Sequence, residues 1–158
     1  MEAVGLVPTA EWRIAAPKGT SGEFSGASRT RARVLAITDR CWSCRSKIRG
    51  VVGVLIEAPA GEGFVPFTEV AETLARSADP RMLAARGIGP LRHRDSPGIP
   101  GGYMSNGCPQ CDALIGRILL DDLLDEHLRN GGTYGQLDTG LALELRPSPD
   151  GVAWRRRA

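Results

Sequence analysis

Two cysteine pairs of identical spacing, Cys41-Trp42-Ser43-Cys44 and Cys108-Pro109-Gln110-Cys111, account for every cysteine in the chain. Four cysteines placed at random over this length would form two C-x-x-C pairs about once in two thousand placements, so the spacing demands a common cause. A two-residue gap lets one tight turn aim both sulfurs at a single point. Two such turns supply the four thiolates of a tetrahedral Zn²⁺ shell. Zn²⁺ bound by Cys41, Cys44, Cys108 and Cys111 is therefore the expected cofactor, and four thiolates close the shell, as a structural ion requires.

Two other chemistries use paired cysteines. A redox dithiol needs its nucleophilic sulfur at a helix N-terminus, where the dipole lowers the thiol pKa. The first pair runs instead into strand-like sequence, whereas the second precedes a helix candidate. Structural disulfides belong to oxidising compartments. The first ten residues show neither a basic n-region nor an apolar h-region, so the expected location is the cytoplasm. No run of about eighteen apolar residues is present for a membrane-spanning helix.

Roughly sixty residues separate the inner cysteines, far more than in a compact four-cysteine site. Loop closure grows only logarithmically with length, by about 0.6 kcal/mol per doubling. Binding of the ion, on the order of 10 kcal/mol, outweighs that cost. The intervening chain therefore reads as an insertion between two knuckles. With 20 glycines, 11 prolines and only 5% aromatic residues, the core must rest on aliphatic side chains between many turns. Such a chain gains from a metal staple.

Along the chain, residues 1–30 read as a flexible N-terminal segment with a short strand near residues 11–16, and residues 31–158 as one domain. Arg31 to Thr38 and Ile48 to Glu57 are dense in Val, Leu and Ile and predict strands flanking the first knuckle. Thr68 is the expected N-cap of a helix running to about Ala78. Asp79-Pro80 starts a second short helix ending near Gly87. Gly89 to Gly102 reads as a long loop, and Gly102 to Asn106 as a short strand entering the second knuckle. Leu120, Leu123, Leu124, His127 and Leu128 recur at helical spacing, and Asn130-Gly131 closes that helix. A terminal hairpin flanks Pro147 to Asp150. The fold class expected is α+β: a small zinc-ribbon-like sheet with a helical insertion and a C-terminal helix.

Cys-Trp-x-Cys after a strand, followed by Tyr103-x-Ser105-Asn106-x-Cys108-Pro109-x-Cys111, resembles a set of uncharacterised bacterial zinc-ribbon-like proteins. Their paired C-W-x-C and C-P-x-C knuckles bracket a variable middle. The resemblance spans about residues 34–120 and implies a zinc-ribbon-like site at the four cysteines, with no established activity. One departure is Asp112, where many knuckles carry glycine; aspartate tolerates a left-handed backbone better than most residues.

Arg40, Arg45, Lys47 and Arg49 crowd the first knuckle around Trp42, a set able to contact phosphates and stack on bases, although a solvated basic face has the same composition. Net charge is only +2, which neither demands nor excludes a nucleic-acid partner. Asp121, Asp122, Asp125 and Glu126 gather carboxylates that a Mg²⁺-dependent nuclease or hydrolase would use, or that simply face solvent. His127 is expected on the apolar rim of its helix and His93 in solvent. The leucine face of the C-terminal helix, if uncovered, would favour a protein partner or self-association. These observations favour a binding or adaptor protein, with a protein or nucleic-acid partner, over a metal-dependent enzyme or a thiol redox protein.

Overall fold

The computed structural model describes residues 6–7, 13–14, 30–58, 61–148 and 151–154. Most of the expected N-terminal segment and the Arg155 to Arg157 tail lie outside the described residues. Among the described residues, ten strands and three α-helices form an α+β fold. In chain order the strands are β1 (Leu6–Val7), β2 (Arg13–Ile14), β3 (Thr30–Arg40), β4 (Lys47–Ala58), β5 (Gly61–Pro66), β6 (Arg92–Ser96), β7 (Ile99–Gly107), β8 (Leu114–Ile115), β9 (Asp138–Ser148) and β10 (Gly151–Trp154). The helices are α1 (Phe67–Ser77), α2 (Pro80–Ala84) and α3 (Arg117–Arg129). All strand pairs are antiparallel: a five-stranded sheet in the order β10-β9-β3-β4-β5, a three-stranded sheet β6-β7-β8, and the β1-β2 pair.

The large sheet is covered on both faces, which is why β3 and β4 read as near-continuous apolar runs. On one face Ala32, Val34, Ala36, Val51, Val54 and Ile56 pack against Val70, Ala71 and Leu74 of α1 and Leu83 of α2. On the other, Leu35, Ile37, Ile48, Val52 and Leu55 meet Leu120 and Leu124 of α3. Across β3 and β4 the register shifts, so that Leu35 opposes Gly53 while Ala36 opposes Val51. The extra residue, Val52, resets the alternation, and both cores stay apolar on either side of the bulge.

The apolar stripe of α3 lies where its spacing places it. Leu120 and Leu124 are buried, with Leu123 and Leu128 packed beside them. That face lies against the sheet. Two left-over apolar residues, Ile118 and Leu119, are exposed on its first turn. The helix ends as Asn130-Gly131 predicts: Gly131 has a left-handed φ of 82°. Its N–H and that of Gly132 reach back to the carbonyls of Leu128 and His127. His127 is half-buried and meets the Thr133 carbonyl at 2.9 Å, the satisfied rim position expected for it.

Two local expectations need correction. The cap of α1 is Pro66, not Thr68, because the fixed φ of proline already turns the chain out of β5 and into the helix. In contrast, Asp79 does cap α2, accepting from the Arg81 N–H with Pro80 in the first turn. Gly89 to Gly102 is not a long loop: β6 and β7 form a hairpin around Pro97-Gly98, with Arg92 opposite Ser105 and Arg94 opposite Tyr103. Its strands were hidden because the one fully buried side chain of β6 is an arginine.

Candidate metal centre

Cys41 follows β3 directly and Cys44 is separated from β4 by Arg45 and Ser46, so the first pair sits on the turn of the β3–β4 hairpin. Cys108 follows β7, and the second pair turns the chain into β8. The two turns are built alike. In the first, the Arg45 N–H donates to the Cys41 carbonyl and the Cys41 N–H to the Ser46 carbonyl. In the second, the Asp112 N–H donates to the Cys108 carbonyl and the Cys108 N–H to the Ala113 carbonyl. The residue after each outer cysteine is left-handed, Arg45 at φ 64° and Asp112 at φ 60°. Asp112 thus occupies the position where knuckles favour glycine, and its backbone conforms.

The four Sγ atoms all lie within 4.8 Å of one another. Two cross-knuckle contacts, Cys41 to Cys111 and Cys44 to Cys108, are both 3.6 Å. Four sulfurs at tetrahedral corners about 2.3 Å from a zinc ion would be about 3.8 Å apart. A covalent S–S bond would need about 2 Å. Backbone N–H groups already point at the first sulfur of each pair, Ser43 at Cys41 and Gln110 at Cys108, each at 3.4 Å. Such donors stabilise thiolate charge.

The site is half inside the protein. Cys41 and Cys108 are buried in the core under α3, whereas Cys44 and Cys111 are exposed. Burial opposes ionisation of Cys108, but the Ser46 hydroxyl and the N–H groups of Cys111 and Gln110 bring its thiol down to about 6. At Cys111 the Ala113 N–H favours the thiolate. Burial and the crowding of Cys41, Cys44 and Cys108 outweigh it and push the thiol up to about 11. Ser46 also lowers the Cys44 thiol, its hydroxyl lying 2.9 Å from that sulfur and 3.5 Å from Cys108. The second pair leads into β8, and α3 starts only at Arg117, so Cys111 is not at a helix N-terminus.

A buttress invisible to hydropathy stands behind the second knuckle. Arg94 is buried, and its guanidinium donates to the carbonyls of Ser105 and Pro90 and to the carboxylate of Asp112. Arg92 reaches the other oxygen of the same carboxylate. Gly107, just before Cys108, has no room for a Cβ because the Arg94 guanidinium lies flat on it. Asn106 joins this knuckle to the sheet. Its carboxamide accepts from the Val51 N–H at 2.7 Å and donates to the Val51 carbonyl at 2.9 Å. β5 stops opposite Gly53, and the edge of β4 beyond it is completed by Asn106 and by the Gly87 carbonyl, which takes the Arg49 N–H. Ser105 and Asn106 belong to the motif read from the sequence; Arg94 and Ser46 had no spacing signal.

Of the basic set, Arg40 and Lys47 face each other across the hairpin, Arg49 lies beside Thr38, and Arg45 stands at the turn. Trp42 is 65% exposed, and its indole N–H donates to the Leu114 carbonyl at 2.9 Å, tying one knuckle to the strand after the other. Asp121, Asp122, Asp125 and Glu126 are all exposed along α3. Among the described residues, the four cysteines are the group of His, Cys, Asp or Glu whose ligand atoms converge. His93 is exposed on β6, away from them in the chain order of the ligands.

No protein-family model, curated protein or solved structure matches this chain. The functional reading therefore stands on the site itself. Among the described residues, no helix is long and apolar enough to cross a membrane.

Proposed function

We propose that this protein is a small cytoplasmic binding module whose structural Zn²⁺ is held by Cys41, Cys44, Cys108 and Cys111. On this reading it is akin to the two-knuckle zinc-ribbon-like proteins its motifs resemble, and it serves as an adaptor or accessory subunit for a macromolecular partner, protein or nucleic acid. The observation that carries the proposal is the convergence of four sulfurs within 4.8 Å of one another, two cross-knuckle pairs at 3.6 Å, with N–H groups already aimed at Cys41 and Cys108. Zinc suits an all-thiolate tetrahedral shell, and with all four positions taken no site is left for a substrate. When bound, the ion supplies a rigid cross-link between two hairpins. The protein's own residues orient the sulfurs through the left-handed turns and the Ser46 hydroxyl.

The test is metal content by mass spectrometry under native conditions, followed by cobalt substitution. One ion per chain is expected, with the absorption of a tetrahedral all-thiolate Co²⁺ centre. Cys108→Ser should lose ion and fold together. A chain that folds fully with four reduced thiols and no metal would overturn the proposal, and turnover lost in mild chelator with the fold intact would point to an open, catalytic site.

A further inference from the structure

Several arginines of this chain are held by carboxylates. Arg33 is ringed by Glu57, Glu62 and Asp138, and Arg92 and Arg94 share the Asp112 carboxylate. Among the described residues, no carboxylate pairs with Arg40, Arg45, Lys47 or Arg49, the four cations at the tip of the β3–β4 hairpin.

Their placement costs stability. Arg40 is directly opposite Lys47 in the strand register, and like charges in that relationship repel. The Arg40 guanidinium finds only the Arg45 carbonyl, at 3.3 Å. Thr38 and Arg49, the next pair on the same face, extend the strip by two residues, about 7 Å along each strand. That is the scale on which phosphates repeat along an extended nucleic-acid strand. α1 and α2 cover this face of the sheet further along, but Thr38, Arg40 and Lys47 are exposed.

Trp42 follows the strip in sequence, two residues beyond Arg40. Its one polar group is spent on the Leu114 carbonyl, and the residue is 65% exposed, which leaves apolar ring surface open to solvent. Exposed aromatic surface beside unpaired cations is the combination that holds single strands, through base stacking and phosphate contact. An acidic peptide would use the charges but not the ring.

We infer that the tip of the β3–β4 hairpin binds single-stranded nucleic acid, with Arg40, Arg45, Lys47 and Arg49 on phosphates and Trp42 stacked on a base. This inference rests on the metal-clamped reading, because Cys41 and Cys44 shape the turn that carries Trp42.

The test uses the metal-replete full chain and fluorescein-labelled oligothymidylate and oligouridylate of about fifteen nucleotides, in polarisation titrations at about 50 and 200 mM salt. Binding should weaken with salt. Trp42→Ala should weaken it about tenfold or more, whereas Trp42→Phe retains most of it. The double substitution Arg40→Gln with Lys47→Gln, on exposed positions that leave the fold intact, should lower the magnitude of the salt slope by about 1.4. Preference between the two oligomers distinguishes DNA from RNA. The inference is overturned by no binding at the lower salt, by indifference to Trp42→Ala, or by equal retention on polyglutamate or on phosphatidylserine vesicles. Metal content, read on the same samples, separates the two proposals: a metal-replete protein that ignores the oligomers removes this inference and leaves the metal centre standing.

Discussion

The carboxamide of Asn106 is a surrogate strand for Val51, bonding both the N–H and the C=O of that residue where β5 no longer reaches. Both partners are buried. Asn106→Ala would leave two backbone groups unsatisfied in the interior, at about 1–3 kcal/mol each. A loss of about 2–6 kcal/mol in urea unfolding is expected, together with weaker metal retention against a chelator, since Cys108 is two residues away. A loss below about 1 kcal/mol would mean that water replaces the side chain.

Gly107→Ala places a methyl group into the Arg94 guanidinium. Overpacking of this kind costs about 1–3 kcal/mol. The companion substitution Arg94→Met should partly rescue it by freeing the space, and a double-mutant cycle measures the coupling. Simple additivity of the two losses would show that they do not meet.

The left-handed turn residues separate backbone strain from side-chain contact. At Asp112, alanine should be about 1 kcal/mol worse than glycine, because only glycine adopts φ near 60° without penalty. Both should be less stable than the wild type, which keeps the pairing with Arg92 and Arg94. At Arg45, where no carboxylate partner is lost, glycine should be neutral or stabilising by up to about 1 kcal/mol. Thermal unfolding of the metal-loaded variants gives the ranking.

Proton release on metal loading should depend on pH in a definite direction. Metal binding needs four thiolates. In the metal-free protein Cys108 has already ionised by neutral pH, its thiol lying at about 6, whereas Cys111, at about 11, still carries its proton. Zinc added at pH 7 should therefore displace fewer than four protons. At pH 5 Cys108 is protonated as well, so the count should rise by close to one. Protons compete with the ion for the sulfurs, so the stability that a bound ion would confer is present at neutral pH and lost as the pH falls. Dye-based proton counting at the two pH values checks the difference; an unchanged count would contradict it.

Legibility in the sequence followed from how each element is stabilised. β3 and β4 are buried on both faces, so hydrophobic density alone marks them. The convergence of the four cysteines was legible because a C-x-x-C turn fixes its own spacing. β6 was not, since its sequence Arg-His-Arg-Asp-Ser buries Arg94 by hydrogen bonds rather than by hydropathy. β7 carries Gly101 and Gly102 at positive φ, which read as loop although they lie within a strand. The Tyr134–Leu137 single turn and the stacking of Tyr134 on Phe64 at 4.6 Å depend on tertiary contact and leave no periodic trace.

Cys44 and Cys108 touch across 64 positions of sequence. Everything that aligns them, from the β4 edge to the β6–β7 hairpin and Arg94, lies in that interval or next to it. During synthesis the first knuckle emerges with two of the four sulfurs, and the second pair follows only after the whole intervening chain has been made. An ion held by all four would therefore be a latch closed late in assembly rather than a seed around which folding begins.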